Sequence, residues 1–191
     1  MKTYPKISLT GDLGSGKSHL SRLLAETLGF RIVSTGFIQR EIATKYGMST
    51  LELNEYTQTH PEIDEEIDQR VTELQEAKES LIFDSRLAWH FAPKSFKVYL
   101  TVDVEEAARR IFFDQRTSEN YQNIAEARNQ IMARRKSEVE RFKRFYDVDY
   151  SDFSNYDVVV DTTRAKPEDV CDKILAAFKA WLEKQQTEAQ E

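Results

Sequence analysis

The chain alternates short apolar runs with longer stretches in which apolar residues recur every three or four positions. The short runs are typical of buried parallel strands, and the longer stretches are typical of amphipathic helices. Five runs are predicted to be strands: 6–10, 30–33, 81–84, 96–102 and 157–161. Strands that alternate with helices predict an α/β fold, a three-layer sandwich with a five-stranded parallel sheet and helices on both faces.

Helices are expected between these strands, with bounds given by the spacing of their apolar residues. They are predicted over 19–28, 37–46, about 104–111, 124–146 and 167–181. Asp103 is expected to cap the third of these helices. Gly29 and Gly47 follow the first two helices and are expected to end them. The polar residues 184–191 are expected to form a frayed tail.

Two further helices are predicted between the second and third strands. Ser49 and Glu52 have the spacing of a capping box, which opens a short helix. Pro61 suits the first turn of the next helix. Its apolar residues recur at helical spacing and are expected to pack in the core: Ile63, Ile67, Val71 and Leu74. The acids between them are expected to form a solvated face: Glu62, Asp64, Glu65, Glu66 and Asp68.

Between the first strand and the first helix lies a phosphate-binding loop pattern. The segment reads Gly11-Asp12-Leu13-Gly14-Ser15-Gly16-Lys17-Ser18, which is G-x-x-x-x-G-K-S. Glycines let such a loop curl so that its N–H groups point at phosphate oxygens. Lys17 is expected to reach the β- and γ-phosphates of a nucleoside triphosphate, and Ser18 to ligate Mg²⁺. Asp12 is an acid in an anion-binding loop, and either it points outward or it weakens binding.

Other candidate residues follow the strands of the predicted sheet. The carboxyl ends of parallel strands meet at one edge, where ligands bind. Segments 34–36, 84–86 and 161–166 are therefore expected beside the phosphate loop. Asp84, which ends the third strand, either handles Mg²⁺ or caps the next helix. Arg86 adds a cation at this edge.

The predicted helix 124–146 is rich in arginine. Arg134 and Arg141 are seven positions apart and therefore share one face. With Arg40 and Arg86 they are candidates to converge on phosphates, since guanidinium groups bind phosphate oxygens in a bidentate manner. The alternative is an ordinary amphipathic helix whose charges lie in water, paired locally with acids such as Glu138 and Glu140.

The length, net charge and cysteine content limit the number of domains and the kinds of partner that we expect. A chain of 191 residues suits one domain with a small mobile insert. The net charge of −6 argues against a nucleic-acid partner held by general electrostatic attraction. The single cysteine, Cys171, is expected to be a small core residue. Neither a signal peptide nor a membrane-spanning run is apparent, so we expect a cytoplasmic protein without a membrane partner, either a monomer or a weak homodimer.

From Lys6 to about Phe178 the chain resembles the cytidylate kinases, specifically the compact archaeal-type branch of the nucleoside monophosphate kinases. The resemblance is carried by 11–18, 33–36 with 40–41, 46–49, 60–68, 85–88, Arg134 with 137–138 and Arg141, and 156–162. It implies a single P-loop kinase domain over 1–191, with a helical nucleotide-monophosphate-binding region at 34–78 and a lid at 112–145. It also implies ATP as donor, Mg²⁺ as cofactor, and CMP or dCMP as the small-molecule substrate.

The resemblance also implies a role for individual residues. The catalytic residues would be Lys17, Arg134 and Arg141. The ATP site would be formed by Gly11, Asp12, Leu13, Gly14, Ser15, Gly16, Lys17, Ser18, Thr162 and Arg164. The acceptor site would be formed by Ser34, Gly36, Arg40, Asp84, Arg86 and Arg110. Mg²⁺ would be held by Ser18 and Asp84.

This sequence departs from the family pattern at several positions. Ala107 stands where the family has an arginine in the first turn of its helix, although Arg110 remains. His90 lies in an unusual segment and is expected to be a surface or packing residue. Two rival functions stay open. One is another small-molecule kinase on the same fold, for a different nucleotide or a shikimate-like acceptor. The other is a nucleotide-binding regulatory protein without turnover. Asp12 and Ala107 are the residues that leave this alternative open.

Overall fold

The computed structural model describes residues 4–49, 52–53, 56, 60, 62–113 and 121–188. Among them, five parallel strands form one sheet in the order β2-β3-β1-β4-β5. The strands are β1 (Lys6–Gly11), β2 (Arg31–Ser34), β3 (Leu81–Asp84), β4 (Phe96–Thr101) and β5 (Val158–Asp161). Each strand lies within one residue of its predicted bounds, and the predicted fold class is confirmed.

The strand order fixes where the site lies. Strand β1 is central, with β3 on one side and β4 on the other. The connection after β1 leads to β2 in one half of the sheet, and the connection after β3 leads to β4 in the other half, which opens a crevice at the carboxyl end of β1. The phosphate-loop motif follows β1 directly, so it starts in this crevice.

Helices connect the strands as predicted. They are α1 (Lys17–Leu28), α2 (Thr35–Tyr46), α3 (Glu62–Gln75), α4 (Ala88–Phe91), α5 (Val104–Phe113), α6 (Ile124–Tyr146) and α7 (Pro167–Glu188). Gly29 and Gly47 end α1 and α2 with φ angles of 69° and 68°, a left-handed conformation that favours glycine.

Local capping chemistry was also read correctly. The backbone N–H of Ser49 donates to the Glu52 carboxylate at 2.7 Å, and the N–H of Glu52 donates to the Ser49 hydroxyl at 3.2 Å. This reciprocal pair is the predicted capping box. The Asp103 carboxylate accepts from the backbone N–H of Glu105 at 3.0 Å, at the start of α5. Parts of the predicted capping box and of the predicted start of α3 lie outside the described residues, namely Thr50, Leu51 and Pro61.

Three local predictions were incomplete or wrong. Helix α4 and a 3₁₀ turn at Phe153–Asn155 were not predicted. The frayed tail was wrong for 184–188, since α7 continues to Glu188, with Lys184 and Glu188 paired at 3.8 Å one turn apart. Residues 189–191 lie outside the described part of the chain.

The core lies on both faces of the sheet. On one face α1 and α7 bury Leu24, Ile174 and Phe178 against the strands. Cys171 is buried in this cluster, as predicted. On the other face the predicted α3 stripe of Ile63, Ile67, Val71 and Leu74 is buried. Within the described residues, no helix has both the length and the apolar character needed to cross a bilayer.

Candidate active site

The phosphate loop curls between β1 and α1 with little tolerance for side chains. Gly14 and Gly16 have φ angles of 78° and 80°. A Cβ on Gly14 would lie 2.9 Å from the Cα of Ala107, so α5 supports the loop from behind. A Cβ on Gly16 would meet nothing within 4 Å, so that side of the loop is open. The residues therefore form a hollow of the kind that holds phosphate groups.

Lys17 lies at the base of this hollow, next to the end of β3. Its ammonium group contacts the Asp84 carboxylate, which also accepts a hydrogen bond from the Ser21 hydroxyl at 3.1 Å. Burial and the nearby Arg86 lower the pKa of Lys17, while its contact with Asp84 favours the charged form. Leu87 is the N-cap residue of α4 and no side chain caps that helix, so the capping interpretation of Asp84 was wrong.

Two arginines from different elements meet at one carboxylate. Arg86, in the loop after β3, donates through Nε to Glu138 Oε2 at 2.7 Å and through Nη1 to the Gly11 carbonyl. Arg134, on α6, donates through Nε to Glu138 Oε1 at 3.1 Å. The Tyr150 hydroxyl donates to the same carboxylate at 3.4 Å. Glu138 thus holds Arg86 and Arg134 side by side above the phosphate loop.

Two clefts open from this point. The phosphate-loop cleft has a volume of about 860 Å³ and is lined by 12–19, Arg22, 34–36, 84–86, Arg110, Ile111, Phe113, Arg134 and Glu138. The second, here called the α3–α6 cleft, has a volume of about 670 Å³. It is lined by Thr35, Gln39, Asp64, Ile67, Asp68, Val71, 85–87, Phe91, Arg134, 137–138, 141–142 and Tyr146. The two clefts share Thr35, Ser85, Arg86, Arg134 and Glu138. They therefore join where the arginines lie.

Most of the predicted site residues line these clefts. Residues 12–18, Ser34, Gly36 and Asp84 line the phosphate-loop cleft, and Gly11 lies at its edge, where its carbonyl accepts from Arg86. Arg141 lines the α3–α6 cleft. The solvated alternative for α6 is therefore incomplete, because this helix supplies side chains to both clefts.

Arg110 lies between the phosphate loop and the loop after β5. Its guanidinium donates to the carbonyls of Thr162 at 2.7 Å, Thr163 at 3.1 Å and Gly14 at 3.3 Å. It was expected at the acceptor site, but these contacts tie it to residues expected at the ATP site. Its role stays a prediction.

Besides Gly11, three of the predicted site residues that the structure describes belong to neither cleft lining: Arg40, Thr162 and Arg164. Thr162 is buried, and its hydroxyl donates to the Thr101 carbonyl at 2.9 Å. Arg40 is exposed on α2, with Nη1 3.6 Å from the position that a Cβ on Gly36 would take. Arg164 is exposed in the loop after β5. Within the described part of the chain, neither side chain lines the phosphate-loop cleft or the α3–α6 cleft. Their expected contacts with substrate stay predictions.

The Asp12 carboxylate is held by side-chain and backbone contacts beside the hollow, and its effect on binding stays a prediction. Its carboxylate accepts from the Tyr99 hydroxyl at 2.8 Å and from the backbone N–H of Val102 at 3.3 Å. It also pairs with Arg135 of α6 at 3.3 Å. Its negative charge is therefore engaged by β4, the residue after it and α6, beside the hollow.

Sequence reasoning missed Asp68 and Tyr146. The Tyr146 hydroxyl donates to Asp68 Oδ2 at 2.6 Å, and both side chains line the α3–α6 cleft. Asp68 was expected to belong to a solvated face, but it is only partly exposed. Its position directly after Ile67, at the border of the buried stripe, is the signal that could have identified it.

His90 has the packing role expected of it. Its ring contacts those of Trp89, Phe91 and Tyr146, with centroid distances of 5.6, 4.9 and 6.4 Å. Burial lowers its pKa, as expected for a histidine among aromatic rings.

Comparisons with known proteins agree with this geometry. A family model described as an AAA domain matches residues 7–132. A cytidylate kinase from Haloarcula marismortui is 34% identical over 177 residues, covering 92% of this chain and 90% of that protein. The solved structure of a shikimate kinase from Aquifex aeolicus shares the fold, with a TM-score of 0.58 and 20% identity. That likeness covers 91% of this chain and 96% of the other.

A longer relative also matches. A protein from Lacinutrix mariniflava named S-adenosylmethionine-dependent nucleotide dehydratase is 37% identical over 181 residues. The match covers 94% of this chain but only 36% of that protein, so this chain corresponds to about a third of it. The cytidylate kinase, by contrast, matches over nearly its whole length. This chain belongs to the cytidylate kinase family.

Proposed function

We propose that this protein transfers the γ-phosphoryl group of ATP to the phosphate of CMP or dCMP and forms the diphosphate. The observation that carries this proposal is the junction of two clefts at Arg86 and Arg134, directly beside the phosphate loop. A phosphoryl-transfer enzyme must bring two anionic substrates together and place positive charge around the group that moves. The junction has both properties.

The phosphate-loop cleft is the donor site in this proposal. Residues 11–18 hold the triphosphate through backbone N–H groups, and Lys17 contacts the β- and γ-phosphates. Arg110 orients the loop after β5, where Thr162 and Arg164 border the adenine. The contacts of Arg110 with Thr162 and Gly14 support this arrangement, because they connect the two ends of the donor site.

The Mg²⁺ ligands in this proposal are the Ser18 hydroxyl and the Asp84 carboxylate. Both groups line the phosphate-loop cleft, and oxygen ligands of this kind suit Mg²⁺. Among the described residues there is no cluster of three or more metal-binding side chains. A site completed by substrate phosphates and water fits that observation, since Mg²⁺ usually keeps several waters. When bound, Mg²⁺ would neutralise charge on the phosphates.

The α3–α6 cleft is the acceptor site. The acceptor phosphate is ionised at neutral pH, so its oxygen can attack without a general base. Arg86 and Arg134 exchange the Glu138 carboxylate for phosphate oxygens, and Arg141 adds a third guanidinium group from the same helix. Arg40 is proposed to reach the acceptor phosphate when the acceptor is bound.

Closure of the helical segments completes the proposal. Region 34–78 binds the acceptor, and the lid at 112–145 closes over the two substrates, so that water cannot take the phosphoryl group. The described parts of the lid are 112–113 and 121–145, and residues 114–120 lie outside them. Arg134 and Arg141 would move with this lid.

An ADP-release assay coupled to NADH oxidation tests the proposal with CMP, dCMP, UMP, AMP and shikimate as acceptors. We expect the highest kcat/KM with CMP or dCMP. Turnover of AMP or shikimate without turnover of CMP would refute the acceptor assignment. ATP binding without turnover of any acceptor would favour the regulatory alternative.

The two features that kept the regulatory alternative open now have structural explanations. Asp12 is bound by Tyr99, Val102 and Arg135, and Ala107 packs directly behind Gly14. Neither residue obstructs the open side of the loop at Gly16. These contacts support an enzyme rather than a binding protein that has lost turnover.

A further inference from the structure

The α3–α6 cleft is lined by both cationic and apolar side chains. Arg86 and Arg134 lie where it joins the phosphate-loop cleft. The walls of the α3–α6 cleft also include apolar side chains, namely Ile67, Val71, Leu87, Phe91 and Phe142. A nucleoside monophosphate has a dianionic phosphate at one end and a flat base at the other. The lining therefore offers guanidinium groups for a phosphate and apolar side chains for a base.

Asp68 is a partly buried carboxylate in the wall of this cleft. Tyr146, on the facing helix α6, donates its hydroxyl to Oδ2 at 2.6 Å and so fixes the orientation of the carboxylate. A carboxylate has several acceptor positions, and the bond from Tyr146 uses only one. Asp68 can therefore accept a further hydrogen bond from a ligand in the cleft.

Several charged groups act on Asp68. Burial raises the pKa of Asp68 to about 6, and the acids Asp64 and Glu65 on its own helix act in the same direction. The hydroxyl of Tyr146 and the guanidinium group of Arg141, both on α6, act in the opposite direction. The surroundings of this carboxylate thus disfavour its charged form. Such perturbed pKa values are common among groups with a functional role.

The bases differ in what they offer to a carboxylate. Cytosine presents the N4 amino group, which donates hydrogen bonds, and an aspartate or glutamate accepts from it. Uracil has the O4 carbonyl at the corresponding position, which is an acceptor and therefore repels a carboxylate. A fixed carboxylate in the wall of the cleft that meets this edge of the base would favour cytosine over uracil.

We propose that Asp68 selects cytosine by accepting a hydrogen bond from its N4 amino group, with Tyr146 as the positioning residue. This inference rests on the proposed function, because it takes the α3–α6 cleft as the acceptor site. Glu62 is an exposed acid of the same helix and does not belong to the lining of the α3–α6 cleft. It provides a control of the same charge on the same helix.

The test measures kcat/KM for CMP and for UMP, at saturating ATP, in the wild type and the variants Asp68→Asn, Glu62→Gln and Tyr146→Phe. Asp68→Asn should lower kcat/KM for CMP by about 10- to 100-fold. It should not lower the value for UMP, because the amide can donate to O4. Glu62→Gln should change the CMP-to-UMP ratio less than about threefold. Tyr146→Phe should raise KM for CMP while KM for ATP stays unchanged.

Calorimetric titration of CMP and UMP into the same proteins separates this inference from the proposed function. If the wild type phosphorylates CMP and Asp68→Asn leaves the CMP-to-UMP ratio unchanged in both assays, the role of Asp68 is refuted and the proposed function stands. If the wild type binds CMP through Asp68 without turnover, the proposed function is refuted and the base contact stands. A cooperative melting transition at a temperature no lower than that of the wild type, together with an unchanged ATP affinity, establishes that Asp68→Asn is folded.

Discussion

The raised pKa of Asp68 predicts that this carboxylate destabilises the fold at neutral pH. In an unfolded chain the pKa of an aspartate is 3.8, and burial raises it to about 6 in the folded protein. The folded state therefore binds more protons than the unfolded state between these two values. By linkage, the free energy of unfolding decreases as the pH rises through this window.

The magnitude follows from the size of the shift. A difference of roughly two pKa units corresponds to about 3 kcal/mol at a pH above both values. Asp68 is partly exposed, so solvent screening reduces this to about 1–2 kcal/mol. Asp68→Asn removes the charge and keeps an oxygen that accepts from the Tyr146 hydroxyl. We therefore expect the variant to be more stable than the wild type by about 1–2 kcal/mol at pH 7.5.

Urea denaturation monitored by circular dichroism at several pH values measures this difference. At pH 7.5 the variant should unfold at a higher urea concentration, with an unchanged m-value. The difference should shrink as the pH falls through about 6 and disappear near pH 4, where the wild-type carboxyl group is protonated. A variant that is equally stable or less stable at pH 7.5 would contradict the reasoning, as would a difference that does not depend on pH.

Three further predictions concern the junction of the clefts and the loop. Arg134→Ala should lower kcat by about 10³-fold in the coupled assay with little change in ATP affinity, because in the proposed function this arginine acts on the moving phosphoryl group. The control Arg144→Ala, which removes an exposed arginine from the same helix, should retain activity. Lys17→Ala should lower kcat/KM by about 10²- to 10³-fold, and a rate near that of the wild type would contradict its role. Gly14→Ala should lose ATP binding in a calorimetric titration, because φ is 78° and the new Cβ would lie 2.9 Å from the backbone of Ala107. Tight ATP binding by this variant would contradict the prediction and show that α5 can shift to accommodate the Cβ.

The strands and most of the helices could be predicted because their signals are local. A buried strand such as β3 is a continuous apolar run, and α3 repeats its apolar residues at helical spacing. Helix α4 has four residues, too few for a period to appear. The last part of α7 is polar, so its helical structure depends on contacts one turn apart rather than on an apolar stripe.

In the candidate site, too, features that are local in sequence could be predicted, and contacts between distant residues could not. The phosphate loop is contiguous in sequence and carries its own motif, so its position beside β1 could be predicted. The pair of Asp68 and Tyr146 joins residues 78 positions apart, and it forms only because α3 and α6 face each other across a cleft. The bridge from Arg86 to Glu138 spans 52 positions and depends on the same arrangement. No local pattern in a sequence encodes such pairs.

The ion pair between Asp12 and Arg135 has a consequence for the electrostatics of the proposed donor site. The acid belongs to the phosphate loop, but its counter-charge is carried by α6, a separate helix. With ATP in this loop as proposed, any displacement of that helix would leave the anion without its counter-charge beside the triphosphate and weaken binding. The proposed function thus ties nucleotide affinity to the position of α6 through a single pair of opposite charges.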